Sequence, residues 1–246
     1  MNQQSSLWSD AWRRLLANKA ALAGGIILIV LIVLAIFAPW IAPHSYSYQN
    51  LDLGAQPPSS DFLLGTDTLG RDLFSRILYG ARVSLLVGFV ATGVALVIGV
   101  SWGIVAGYFG GRVDSVMMRI VDVLYGLPFI IFIILLMVIF GRNIWLLFAA
   151  IGAVEWLTMA RIVRGQVLSI KNQEYVLAAQ AMGVTNMQMF RKHIFPNILG
   201  PIAVYATLTI PQVMLLEAFL SFLGLGIQPP MSSWGTLIRY GVESME

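Results

Sequence analysis

Two carboxylates, Glu155 and Glu217, stand inside long apolar runs of the sequence. A charge at mid-bilayer costs about 2.5–3.5 kcal/mol, so such groups face the interior of a helical bundle and invite a functional reading. An acid or base role would need a setting such as H-E-x-x-H or G-x-S-x-G, and neither occurs. The absence of cysteine excludes disulfide frameworks, thiolate nucleophiles and cysteine-based zinc sites. The two histidines, His44 and His193, are too far apart in sequence to suggest a metal cluster. Glu155 and Glu217 are therefore candidates for contacting a passing polar group, or for bracing a neighbouring helix or subunit. Arg119 and Asp122 are spaced i, i+3 and can pair on one helix face. No filter-like backbone signature points to an ion channel.

These residues need a membrane to position them. The chain is 58% hydrophobic and 11% charged, against about 25% charged in an ordinary soluble domain. That leaves too few charges to solvate a globule of this size. The net charge of +3 is diffuse and gives no nucleic-acid footprint. Stretches of about 20 apolar residues can cross a bilayer. They predict spans over 20–41, 83–108, 116–140, 143–160 and 197–222. The first is too long and too apolar for a cleaved signal. Residues 1–19 precede it; 42–82 form an outer loop, 161–196 an inner loop and 224–246 an outer tail. With the N-terminus inside, inner segments hold ten Lys and Arg and outer segments five, Arg142 among them, which favours that orientation. Gly24, Gly25, Gly88, Gly93, Gly99 and Gly103 suit close helix packing.

The inner loop carries the most informative pattern, NQEYVLAAQAMGVTNMQMFRKHIFP over 172–196. It reads as two short helices with a break. Asn172 can cap the first, and Glu174 suits the positive end of its dipole. Ala178, Ala179 and Ala181 make a slim face for close approach. Gly183 is a natural stop, and Thr185 with Gln188 forms a capping box for the second helix. Pro196 sits where a further helix begins. Two capped helices between spans call for a partner on the inner side.

This segment resembles the EAA loop of ABC importer permeases, whose pattern is E-A-A, three residues, G, nine residues, I-x-L-P. Ala178, Ala179, Gly183 and Pro196 fall on that spacing. Leu177 stands in place of the pattern's Glu, His193 of its Ile and Phe195 of its Leu. Glu174, in E-Y-V-x-A-A, is the form common in the peptide-importer branch. LGTDTLGRDLFSRILYGARVSL (64–85), GYFGG (107–111), WLTMARIVRGQ (156–166) and FLGLG followed by PP and SWG (222–235) are similar to C-type permease subunits of peptide and nickel importers. The resemblance covers nearly the whole chain.

It implies an all-α polytopic bundle of the type I importer permease fold, with five spans present of an expected six and the last helix lacking. It implies a multi-pass protein of the bacterial inner membrane, its N-terminus cytoplasmic. A second, B-type permease subunit would complete the path, two ABC ATPase subunits would bind ATP and Mg, and a periplasmic or lipid-anchored binding protein would deliver oligopeptides. No cofactor and no nucleic acid would be bound by this chain. ATPase coupling would fall to Glu174, Tyr175, Ala178, Ala179 and Gly183. Glu217 and Glu155 would be open to the path, where either could meet a peptide's amino terminus. Dipeptides, glutathione, antimicrobial peptides or nickel are alternative cargoes. The chain would be a transporter subunit, not an enzyme.

Overall fold

The computed structural model describes residues 7–141 and 143–245; residues 1–6, Arg142 and Glu246 lie outside the described residues. All regular elements among the described residues are helical, apart from one isolated bridge between Thr66 and Asp72. The chain divides into two compact units, residues 1–85 with 230–233, and 86–229 with 234–246.

In the first unit, α1 (Leu7–Ala17) precedes α2 (Lys19–Ile41). Asn18 separates them and caps α2, its side-chain oxygen accepting from the backbone N–H of Ala20 and of Ala21 at 3.1 Å each. α2 has a mean hydropathy of 3.1, and its large side chains, Ile27 and Ile29 among them, lie exposed as in a lipid-facing helix. The loop that follows is tied around buried charges at the start of α3 (Leu73–Phe109). Asp67 accepts from Arg71 Nε at 2.7 Å, from the backbone N–H of Leu69 and Arg71, and from Arg76. Asp72 accepts from Ser75 Oγ at 2.6 Å and lies 3.7 Å from His44 Nδ1. Gly70 has φ +68°, and a Cβ there would lie 1.9 Å from the Asn50 carbonyl oxygen. The TDTLGRD stretch is therefore a folded knot rather than a set of loose counter-charges.

Burial pushes the Asp67 pKa up, but the hydrogen bonds from Arg71 and Leu69 and the Arg71 charge together hold it below its ordinary 3.8. A depressed carboxylate stabilises the fold fully above its unfolded value and loses that contribution as pH falls through the folded value. Asp67→Ala removes the acceptor that two buried guanidiniums share. It should destabilise this unit by about 3–5 kcal/mol, read as a lowered midpoint in thermal unfolding of the purified chain. The wild-type advantage over the variant should shrink as the pH drops below 3.8.

The second unit is built on α6 (Ile144–Lys171), started by Asn143, whose side chain accepts from Trp145 N at 2.8 Å. The part of α3 in this unit presses against α6 along Gly99, Gly103 and Gly107. A Cβ on Gly103 would sit 2.5 Å from the Ala160 carbonyl, and one on Gly99 2.7 Å from that of Trp156. Small residues at i, i+4 and i+8 let the two backbones meet. Gly107, one turn further on, belongs to the same seam, a Cβ there lying 3.0 Å from the Arg164 carbonyl. Gly88 packs on Met214, whereas Gly24, Gly25 and Gly93 meet nothing within 4 Å.

The third expected span, 116–140, is not continuous. It is replaced by α4 (Gly111–Tyr125) and α5 (Phe129–Phe140), bent by 78° across Gly126–Pro128. Pro128 cannot donate to the preceding turn and pushes Leu127 out of the helical region. The expected Arg119–Asp122 pair is also corrected. Asp122 instead accepts from Arg161 on α6 at 2.8 Å, and Arg161 lies over the Tyr125 ring at 4.1 Å. Arg164 binds Asp114 through two bonds of 2.5 Å. α4 is thereby clamped to α6 by guanidiniums reaching across helices, while Arg119 is exposed.

α6 continues well past residue 160, where its span is expected to end, and carries these arginines beyond the apolar segment. Among the described residues four stretches are long and apolar enough to cross a membrane, α2, α3, α6 and 186–222, and the bent α4–α5 pair makes a fifth if it counts as one span by length and composition.

Candidate functional site

The inner loop folds as α7 (Glu174–Ala181), α8 (Asn186–Met189), a π-turn over Phe190–Ile194, and then α9 (Phe195–Phe222). α6 runs to Lys171, so Asn172 closes that helix and does not cap α7; Gln173 precedes α7 without a side-chain cap. The stop of α7 is a full Schellman motif. Gly183 N–H donates to Gln180 O at 3.0 Å and Val184 N–H to Ala179 O at 3.2 Å, with Gly183 at φ +78°. Thr185 caps α8 by accepting from Gln188 N at 3.4 Å.

One face of this module is core. Val176, Ala179, Met189, Ile194 and Ile198 are buried with Met159, Val163 and Val167 of α6. Two polar links add to it. Lys171 Nζ donates to the Tyr108 carbonyl at 2.6 Å, and Tyr108 Oη donates to Asn186 Oδ1 at 2.7 Å. The end of α3, the end of α6 and α8 are thus fastened together.

The other face is open. Glu174, Tyr175, Ala178 and Gly183 are exposed. Ala179 is not: it is 2% exposed, because it sits three residues from Val176 on the inward side of α7. Its small size serves the chain's own packing, and its place in an outward contact is corrected. Leu177, Met182 and Met187 are exposed instead. The sequence pattern left these open apolar side chains out, though the burial of Val176 and Ala179 at i, i+3 fixes which face of α7 is free.

The two membrane carboxylates have separate fates. Glu217 is fully buried and accepts from Ser221 Oγ at 2.5 Å, and Ser221 Oγ accepts from Ile227 N at 3.2 Å. α9 ends in a second Schellman turn at Gly224, and Gly226 lies so close to Ser221 that a Cβ would meet Ser221 Oγ at 1.9 Å. α10 (Trp234–Glu243) then returns against α9, with Gly235 on the backbone of Ala218. Glu217 therefore braces this return, and its expected exposure to a path is corrected. Glu155, on α6, borders a cavity of about 570 Å³. Among the described residues no group of three His, Cys, Asp or Glu could hold a metal.

An all-helical chain with several apolar helices and an inner module clamped to two of them is the architecture of a membrane permease subunit. Residues 99–245 match the family of binding-protein-dependent transport system inner membrane components, and residues 6–58 match the N-terminal TM domain of oligopeptide transport permease C. The chain belongs to this family of permeases, as an oligopeptide permease C-type subunit of the ABC importers. It is 51% identical to the dipeptide transport system permease protein DppC of Bacillus subtilis, over 98% of this chain and 75% of that one. It is 49% identical to the oligopeptide permease OppC of Haemophilus influenzae, over 98% and 78%. To the glutathione transport permease GsiD of Pectobacterium atrosepticum it is 38% identical, over 94% and 77%. The relatives are named as transport permeases, and this chain is a multi-pass membrane subunit of that kind rather than an enzyme.

Proposed function

We propose that this chain forms half of a path that carries oligopeptides inward, and that it takes its power stroke through the exposed face of α7. Of the two ATPase subunits, which hold ATP and Mg, one docks on Glu174, Tyr175, Ala178 and Gly183 of this chain, with Leu177 and Met182 beside them. A B-type permease completes the path, and a binding protein supplies peptide at the outer face. The N-terminus lies on the ATPase side, as the distribution of Lys and Arg favours.

The observation that carries this reading is the two-faced module. Val176 and Ala179 lock α7 to α6, while an apolar and acidic face is left open to water, where a monomer has little reason to place Leu177 and Met182. ATP-driven closure of the docked subunits would draw α7 along, and the clamps at Lys171, Tyr108 and Asn186 would pass the displacement to α6 and α3. Peptide is favoured over glutathione because identity is higher to the dipeptide and oligopeptide permeases than to the glutathione permease, and the match of residues 6–58 to oligopeptide transport permease C tilts the reading to oligopeptides.

The test is to purify the tagged chain from cells expressing its whole importer and to reconstitute it in vesicles. We expect it to bring two ATPases and a second permease, and to support ATP-dependent uptake of labelled peptide but not of nickel. A chain that purifies alone and stable, or vesicles that import nickel and no peptide, would overturn the proposal.

A further inference from the structure

The cavity beside Glu155 lies where the α4–α5 bend, α6 and α9 face one another. Its size is that of a small-ligand site, about 300–1,000 Å³. Tyr125, Leu127, Phe129 and Phe132 come from the bend, and Gln212 from α9. The walls are mostly apolar and aromatic. Glu155 is the one carboxylate among the lining residues, and it is 8% exposed.

No hydrogen bond or ion pair engages Glu155 among the described residues. Arg161, six residues further along α6, is already committed to Asp122 and to the Tyr125 ring. By contrast, the other membrane carboxylate, Glu217, is satisfied by Ser221. A carboxylate held in an apolar cavity without a cation is a site waiting for one. A hard divalent metal would need six or more oxygen ligands, and these walls do not offer them. An organic ammonium fits better. It can hydrogen-bond to the carboxylate and lie against the aromatic faces, while Gln212 can donate to and accept from an amide.

We propose that this cavity is a subsite for the amino terminus of a translocating peptide. Glu155 takes the ammonium, Gln212 the first peptide bond, and the rings of Tyr125, Phe129 and Phe132 the first side chain. The bend at Pro128 opens the space, so the broken span is what makes room for the ligand. This inference rests on the peptide-import reading above.

The test is equilibrium binding of a fluorescent peptide to the complete purified importer without its binding protein, so that selection by that protein does not enter. The same peptide is used with a free and with an acetylated amino terminus. Wild type should bind the free form roughly tenfold more tightly. Glu155→Gln should abolish that preference, and Glu155→Asp, which keeps the charge, should retain most of it.

Wild type without a preference, or a preference unchanged in Glu155→Gln, would overturn the subsite. If Glu155→Gln does not assemble, Glu155→Asp decides, since shortening the reach must weaken the preference without removing it. Uptake by the same preparation with its binding protein separates the two readings. Peptide uptake with no amino-terminal preference in binding sinks the subsite alone, whereas no peptide uptake sinks both.

Discussion

Gly183→Arg should leave the chain inserted and folded and uncouple transport from ATP turnover. Gly183 has φ +78°, a conformation that costs an ordinary L-residue about 1–2 kcal/mol. It also donates one of the two bonds that end α7, the other coming from Val184 to Ala179. A Cβ there meets nothing within 4 Å, so the first added atom does not overpack the chain's own core. The damage is local: the end of α7 shifts, and a long cationic side chain stands on the face offered to the ATPase. A loss of about 1.4 kcal/mol in docking is already a factor of ten, and we expect peptide uptake to fall by at least about that factor. Basal ATP hydrolysis by the assembled ATPases should persist. Gly183→Asn, which tolerates the left-handed region, should keep most of the uptake. Unchanged uptake in Gly183→Arg would refute the role assigned to α7.

Gly103→Leu should prevent a stable subunit from accumulating. The first added atom would already lie 2.5 Å from the Ala160 carbonyl, 2.8 Å from Val163 Cβ and 2.9 Å from Arg164 N. Two of these are backbone atoms and cannot rotate away, so α3 and α6 must separate. Overpacking a well-filled interior costs about 1–3 kcal/mol. Separation here would also pull on the Lys171–Tyr108 link and on the base of α7. Gly103→Ala should be milder but still destabilising, and Gly93→Leu should leave the chain's own packing intact. The measurement is the yield of monodisperse protein by size exclusion after detergent extraction. A monodisperse Gly103→Leu subunit at wild-type yield would show that the seam is not what holds α3 to α6.

How far each feature could be read from sequence follows from how local its cause is. The stop at Gly183 and the Thr185 cap arise from residues within one turn of each other, so the pattern carries them. The break at Pro128 is also local, but hydropathy runs on through Leu127 and Phe129, and a composition window therefore reads one span where there are two helices. The true partner of Asp122 lies on another helix, and nearness in sequence pointed instead to Arg119. Ala178 and Ala179 are adjacent and identical, yet the register of α7 sends one outward and the other into the core. Glu155 and Glu217 look alike as carboxylates in apolar runs. Only the return of the chain through Ser221 and Ile227 shows that Glu217 is occupied, and only the bend at Pro128 shows that Glu155 faces a space. In the loop before α3, nothing in the spacing of Asp67 and Asp72 shows that they organise a folded knot.

The claim that the open face of α7 is the ATPase docking surface has a direct measurement, helped by the absence of native cysteine. Ala178→Cys places one thiol on that face, and a thiol-attached photo-crosslinker can be activated in the assembled importer. The account predicts an adduct between this chain and an ATPase subunit, with its yield changing between nucleotide-free and ATP-bound states. The same label at Trp40→Cys, near the C-terminal end of α2, should give no ATPase adduct. An importer in which the label at residue 178 reaches no ATPase subunit in any nucleotide state, while the complex is intact and transporting, would contradict it.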